Sequence, residues 1–256
     1  MTISGVATSR SETSVTLLRF CSGLAAFLVL LAVLPFSRPV FAWLFPQLER
    51  PLYQQHDFWE LVLAHLILVT ISSLCAAIVG IGAGIFVTRP AGQEFRRLAE
   101  ILSAMGQSLP PVAVLALAVP LIGFGFWPAF DALLLYSILP ICENTMAGLE
   151  SVPVAAKEAG RGLGMTPSHL LWQIELPLAA PIIVAGLRTS VTINISTAAI
   201  ASTVGAVSLG SPIIIGLNGN NTAYVLQGAL LVSALAIVVD FGFEVINQWL
   251  QRWKKR

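Results

Sequence analysis

Charge is what this sequence has least of. Only 11% of its 256 residues are Asp, Glu, Lys or Arg, against about 25% in soluble domains. The chain is 56% hydrophobic and its mean hydropathy is +0.84. A core of this size cannot hide that much apolar surface, so the bilayer is the solvent and the expected class is an all-α membrane protein. The basic residues form no patch interleaved with aromatics, which excludes nucleic acid as a partner. Cysteine is also scarce. Cys21, Cys75 and Cys142 each lie in an apolar run, without CxxC spacing or a nearby His, and read as small buried hydrophobes. No disulfide framework or metal site is implied, and His56, His65 and His169 are scattered. No GxxxxGKS or GxxxxGKT loop is present, so the chain is not expected to bind or hydrolyse ATP itself. Without HExxH, a Ser/His/Asp setting or convergent carboxylates, it is a poor candidate for an enzyme.

What is there is apolar length. A span needs about 20 mostly apolar residues. Six stretches qualify: Leu17–Leu34, Phe58–Val87, Ile101–Ile122, Ala129–Leu149, Leu178–Val204 and Ala223–Trp249. Lys and Arg set the orientation. With the N-terminus inside, the cytoplasmic side receives Arg10, Arg19, Arg89, Arg96, Arg97, Lys157, Arg161, Arg252, Lys254, Lys255 and Arg256. The outside receives only Arg38 and Arg50, eleven against two. Both termini are therefore expected in the cytoplasm. The first span is long, with no small-x-small cleavage site, and reads as an uncleaved anchor. Three parts are expected: 1–57 with the extra first helix and outer loop, 58–249 as the transmembrane domain, and 250–256 as a basic cytoplasmic tail.

The same orientation puts Glu158–Pro177 in the cytoplasm. Pro153 suits a helix start, and a short helix Val154–Leu163 follows, with Lys157, Glu158 and Arg161 as polar heads. Gly162 and Gly164 are natural stops, since glycine accepts the left-handed conformation at a helix end. Thr166-Pro167 restarts the chain, with Thr as N-cap and Pro at the first helical position. A helix–Gly–helix elbow across the membrane face makes a rigid knob able to sit in a socket on another protein.

The residues Glu158-Ala159-Gly160, three residues, Gly164, nine residues and Ile174-Glu175-Leu176-Pro177 resemble the cytoplasmic signature of binding-protein-dependent ABC-importer permeases. Gly160 stands where Ala is usual. The resemblance implies a type I permease fold of six transmembrane helices in the bacterial inner membrane. It also implies two ATP-binding partner subunits that hold ATP and Mg, a second permease subunit and a periplasmic substrate-binding protein. Lys157, Glu158, Ala159, Gly160, Arg161, Gly164, Ile174, Leu176 and Pro177 would couple to the ATPase. A secondary transporter or channel would explain the spans but not the elbow.

Further segments resemble the osmoprotectant branch, whose members import glycine betaine, choline, carnitine or related compounds. They are His65–Arg89, Gly106–Ala113, Leu139–Thr145 and Gly186–Ala201, continuing to Val204-Gly205-Ala206 and Leu209-Gly210. The resemblance covers roughly 58–249. The extra first span is similar to a subset that uses two different permeases, so the second permease is expected to be a different chain, otherwise a copy. Glu143 and Ser196 depart from the usual basic residue and glycine. Another small solute, an amino acid or other quaternary amine, is the alternative substrate.

Neutral polar residues inside the spans mark a candidate pathway: Gln107, Ser108, Asn144, Thr145, Thr192, Asn194 and Thr197. Such groups suit a weakly bound zwitterion or quaternary ammonium; the alternative is that they bond within and between helices. Charge within a span needs a reason. Arg188 is expected to brace a gate by pairing with Asp240 or with Glu143. Gly80 and Gly84 form a GxxxG step suited to close helix packing.

Overall fold

The structure is a computed structural model. It describes the backbone of residues 4–254 and their side chains apart from 4–13, 104, 107 and 252–254. No strand occurs among the described residues. Five helices there are long and apolar enough to cross a membrane. Leu121, Trp43 and Phe36 are each 80% exposed or more, as expected where lipid or another subunit covers the surface.

The first long helix, α1 (Ser4–Val33), ends in a tight turn over Leu34–Phe36 that contains Pro35. A short helix, α2 (Arg38–Leu44), and an extended loop lead into α3 (Phe58–Val87). That loop is tied down by side-chain amides: Gln227 accepts from Tyr53 N–H (3.0 Å) and donates to Pro51 O (2.7 Å), and Asn221 donates to Arg50 O (2.8 Å).

The expected third span, Ile101–Ile122, is not one helix. It divides into amphipathic α4 (Arg96–Ser108) and apolar α5 (Pro111–Ile122). Leu109 and Pro110 between them are extended, with ψ of 131° and 135°. The cause is Pro110-Pro111: a residue before proline is pushed out of the helical region, and proline has no N–H to continue the ladder. Five long helices and one broken crossing thus stand where six uninterrupted spans were expected.

Gly123 and Gly125, with φ of 86° and 106°, turn the chain into α6 (Phe126–Glu150). The elbow helices α7 (Val154–Gly162) and α8 (Pro167–Leu170) come next, then α9 (Leu176–Thr197). After a short helical turn over Ile200–Val204, α10 (Ser211–Asn218) and α11 (Thr222–Lys254) complete the chain.

Small residues set the packing. A Cβ on Gly84 would lie 2.6 Å from Thr145 Cβ, and one on Gly80 would lie 2.9 Å from Ile138 O, so α3 and α6 meet backbone to backbone. Gly186 brings α9 equally close to Asn144 on α6. These three helices form the centre, with α11 against α9 and α5 against α6. The extra helix α1 packs on the far side of α11, where Phe241 lies over Gly23 and Phe20 over Gly242.

Candidate functional site: the elbow and the polar contacts beneath it

The elbow forms where the sequence places its stops. Pro153 sits just outside α7, in an extended conformation. At the other end Gly164 has φ of 76°. Its N–H donates to Arg161 O (2.9 Å), and Met165 N–H donates to Gly160 O (3.1 Å). Those two bonds are the Schellman pattern, which satisfies carbonyls a helix end leaves open. Thr166 then caps α8 by accepting from His169 N–H (3.3 Å).

Glu158, Ala159, Arg161 and Gly164 are exposed. Gly160 faces inward, where a Cβ would lie 2.6 Å from Leu170 Cδ1 and 2.7 Å from Ile174 Cδ1. The glycine therefore lets α7 close on α8 and the turn that follows it. Leu176 is half-buried and Pro177 exposed at the start of α9. The exposed face adds Val154, Leu163 and Trp172, each at least 67% exposed. Lys157 turns inward instead, and donates to Leu149 O (3.0 Å) at the C-terminus of α6. A cation there also complements the negative end of the helix dipole.

Leu171–Glu175 forms a π-helical turn. It precedes Pro177, which lacks the N–H that an α-helical register would direct to Gln173 O, so the wider turn has a local cause. The turn carries Glu175, 4% exposed, to a 2.5 Å ion pair with Arg89 just beyond α3. Beside it, Arg96 at the start of α4 binds Glu100 (2.9 Å) and Glu150 at the end of α6. Those bonds, Glu100's first, hold the Arg96 guanidinium above its ordinary pKa. Arg89, Arg96, Lys157, Glu150 and Glu175 line one cavity of about 160 Å³. The ends of α3, α4, α6, α7 and α9 are thus joined by polar contacts directly beneath the elbow.

In the helix bundle, Arg188 donates from Nε and Nη2 to the two carboxylate oxygens of Asp240, both at 2.6 Å. Of the two partners considered for Arg188, the structure chooses Asp240; Glu143 is exposed on α6.

The candidate pathway residues divide. Asn194 is fully buried, and its amide donates to Ser73 Oγ (3.0 Å) and Ser137 Oγ, joining α9 to α3 and α6. Thr145 is fully buried against Gly84, and its hydroxyl donates to Ile141 O (2.7 Å). Both sit in the packed interior of the chain, so neither lines a passage within it. Thr192 is half-buried, with Oγ1 enclosed and unpartnered. A polar atom in an apolar bundle needs a bond; the Asn194 amide finds it in the neighbouring helices and Thr145 in its own, whereas Thr192 Oγ1 finds none within the chain. Ser108 is exposed, its hydroxyl bonded to Met105 O (2.6 Å). Asn144, bonded to Pro140 O (2.8 Å), and Thr197 are half-buried. The side chain of Gln107 lies outside the described residues.

Residues 80–252 match the family described as binding-protein-dependent transport system inner membrane component. The chain belongs to this family. As a permease it is 42% identical over 187 residues to the osmoprotectant import permease protein OsmY of Salmonella typhimurium, covering 73% of this chain and 79% of OsmY. It is 39% identical over 187 residues to the choline transport system permease protein OpuBB of Bacillus subtilis, covering 71% of this chain and 86% of OpuBB. In fold it is similar to a chain of the inward-facing MetNI methionine ABC transporter, with a TM-score of 0.68 and 22% identity over 77% of this chain and 99% of that one. The fold is therefore that of type I importer permeases, and this is a multi-pass inner-membrane subunit.

The permease's Arg89–Glu175 pair was not singled out from the sequence. Glu175 falls at the unspecified position of the Ile-x-Leu-Pro signature, and Arg89 ends a different helix. A carboxylate between apolar neighbours at a span's edge was the available signal, since buried charge needs a partner.

Proposed function

We propose that this permease is the membrane subunit of an ATP-driven importer for glycine betaine or a related osmoprotectant. The observation that carries the coupling half of this reading is the exposed face of the elbow. Glu158, Ala159, Arg161 and Gly164 lie on it beside the apolar Val154, Leu163 and Trp172. Large apolar side chains left exposed among polar ones suit a protein socket. The substrate half is supported by the names of the relatives, which import osmoprotectants or choline.

In this reading two ATP-binding subunits hold ATP and Mg, and each takes the elbow of one of two permeases, this chain and a second. The second permease is a different chain, and a periplasmic binding protein delivers solute to the opposite end. Both termini and the elbow face the cytoplasm. Residues 1–57 form an accessory segment, 58–249 the transport domain and 250–256 a basic tail. The elbow moves with the closing ATPases and carries α9 with it. Arg188 and Asp240 brace the gate, while Ser108, Asn144 and Thr197, together with Gln107, contribute to the pathway. The chain itself is not catalytic.

The test is uptake of labelled glycine betaine by cells lacking other betaine carriers, with and without this gene. Deletion should abolish uptake; the normal gene should restore it, and Glu158→Lys or Gly164→Asp should insert but not restore it. Unchanged uptake on deletion at low and high osmolarity would refute the osmoprotectant assignment. Full uptake by both variants would refute the coupling role.

A further inference from the structure

Helices α6 and α9 share one uncovered side. α6 meets α9 through Ser137, Asn144 and Gly148, and α3 through Ile138, Ile141 and Thr145. α9 meets α6 through Gly186, Ser190 and Asn194, and the Asn194 amide also reaches Ser73 on α3. At about 3.6 residues per turn, the positions left over lie on the same side of both helices, away from α3. They are exposed: Glu143 and Ala147 on α6, and Thr189, Ile193 and Ser196 on α9.

This side is charged where a lipid-facing side is not. On α3, Leu63, Ile67, Ile71, Leu74 and Ile78 are exposed, and no Asp, Glu, Lys or Arg follows Glu60. Glu143 lies seven residues before Glu150, the last residue of α6, or about 10 Å in from the elbow end at about 1.5 Å per residue. The whole helix is about 37 Å long against about 30 Å of hydrocarbon, so that position is inside the span. A carboxylate at such a depth faces protein or water, not lipid. α6 has no Lys or Arg, and Arg188, the basic residue of α9, is held by Asp240. Neither helix therefore cancels the Glu143 charge. The Thr189 hydroxyl donates to Ala185 O (3.1 Å) and the Ser196 hydroxyl to Thr192 O (3.4 Å). Each spends its hydrogen on its own helix and keeps lone pairs to offer. A carboxylate and hydroxyl lone pairs on one side favour a cation and give an anion nothing to bind.

We propose that this side of α6 and α9 lines the solute passage and that Glu143 makes the passage selective for organic cations. It passes a solute of net positive charge more readily than a zwitterion of similar size, and it holds back anions. Charged side chains lining a pore set the sign of what passes in this way. The inference rests on the permease reading above, but the sign preference can be measured without knowing the solute.

The complete importer, with Cys21, Cys75 and Cys142 replaced by Ser, would carry one new thiol through Ala147→Cys, a turn from Glu143. Its reaction would be timed with two methanethiosulfonates of similar size, one ending in trimethylammonium and one in sulfonate. Both react with the thiolate, which forms in water and not in lipid, so reaction shows that this side is wet. The cation should react faster than the anion. Glu143→Gln should lower that ratio about fivefold, what one charge pair at contact contributes in water, and Glu143→Asp should keep it. No reaction with either reagent, or a ratio that Glu143→Gln leaves unchanged, overturns the proposal. Should the Ala147→Cys variant fail to assemble, Thr189→Cys on α9 gives the same reading. Uptake is the second readout: Glu143→Gln should lower the maximal rate for choline, a cation, about fivefold relative to glycine betaine, a zwitterion. An equal change for both solutes, or none, also overturns it. If the unaltered importer carries neither solute, the osmoprotectant assignment fails, and the thiol ratios still decide the role of Glu143.

Discussion

Glu175→Gln tests whether the ion pair beneath the elbow holds the loop to the bundle. The substitution keeps the shape of the side chain and removes its charge. Glu175 is nearly inaccessible and lies 2.5 Å from Arg89, whose side chain is 28% exposed. Removing one member of a buried pair costs about 3–5 kcal/mol. Two features reduce that here: Gln can still accept a bond, and Arg89 can turn towards water. The expected loss is therefore about 1–3 kcal/mol. A double-mutant cycle with Arg89→Gln isolates the pairwise part, because the two side chains touch and their effects should not add. The assay is thermal unfolding of the purified variants in one detergent, followed by uptake. Coupling of about 1 kcal/mol or more, with uptake reduced in each single variant, would fit a contact that links α9 to α3 during transport. Additive effects, with coupling below about 0.3 kcal/mol, would refute the argument, since the two charges would then be stabilised independently.

Charge reversal tests the second pair. Arg188→Glu should leave two carboxylates facing each other at a bidentate contact and abolish uptake, and Asp240→Arg in the same chain should restore part of it; no rescue would refute the pairing's role. Gly84→Val should separate α3 from α6, because even a Cβ there would meet Thr145 Cβ at 2.6 Å. The expected cost is about 1–3 kcal/mol, read as a lower unfolding temperature in detergent, and an unchanged midpoint would refute the close approach.

What could be read from the sequence, and what could not, follows from the range of each signal. The elbow was legible because its determinants are local: Pro153, Gly164 and Thr166 each fix the backbone where they stand. The long spans were legible because apolar length needs no partner to be recognised. The division of the third span was also local, written in Pro110-Pro111, but counting apolar residues across 101–122 passed over it. The Arg89–Glu175 pair was different, whereas charge inside a span had already pointed Arg188 towards Asp240 or Glu143. Arg89 and Glu175 meet only because α3 and α9 both lie against α6, which no local pattern encodes. Asn194 shows the same limit in reverse. Its amide is polar enough to line a pathway, yet the face it occupies is set by its neighbours, Ser73 on α3 and Ser137 on α6. Polarity within a span therefore marks a residue that needs a bond, and only the packing says whether a helix, a partner subunit or a passing solute supplies it. By that reasoning the residues best placed to meet solute are the polar ones not enclosed by their own chain, Ser108, Asn144 and Thr197. Replacing any of these with Ala should alter uptake more than stability, whereas Asn194→Ala should do the opposite.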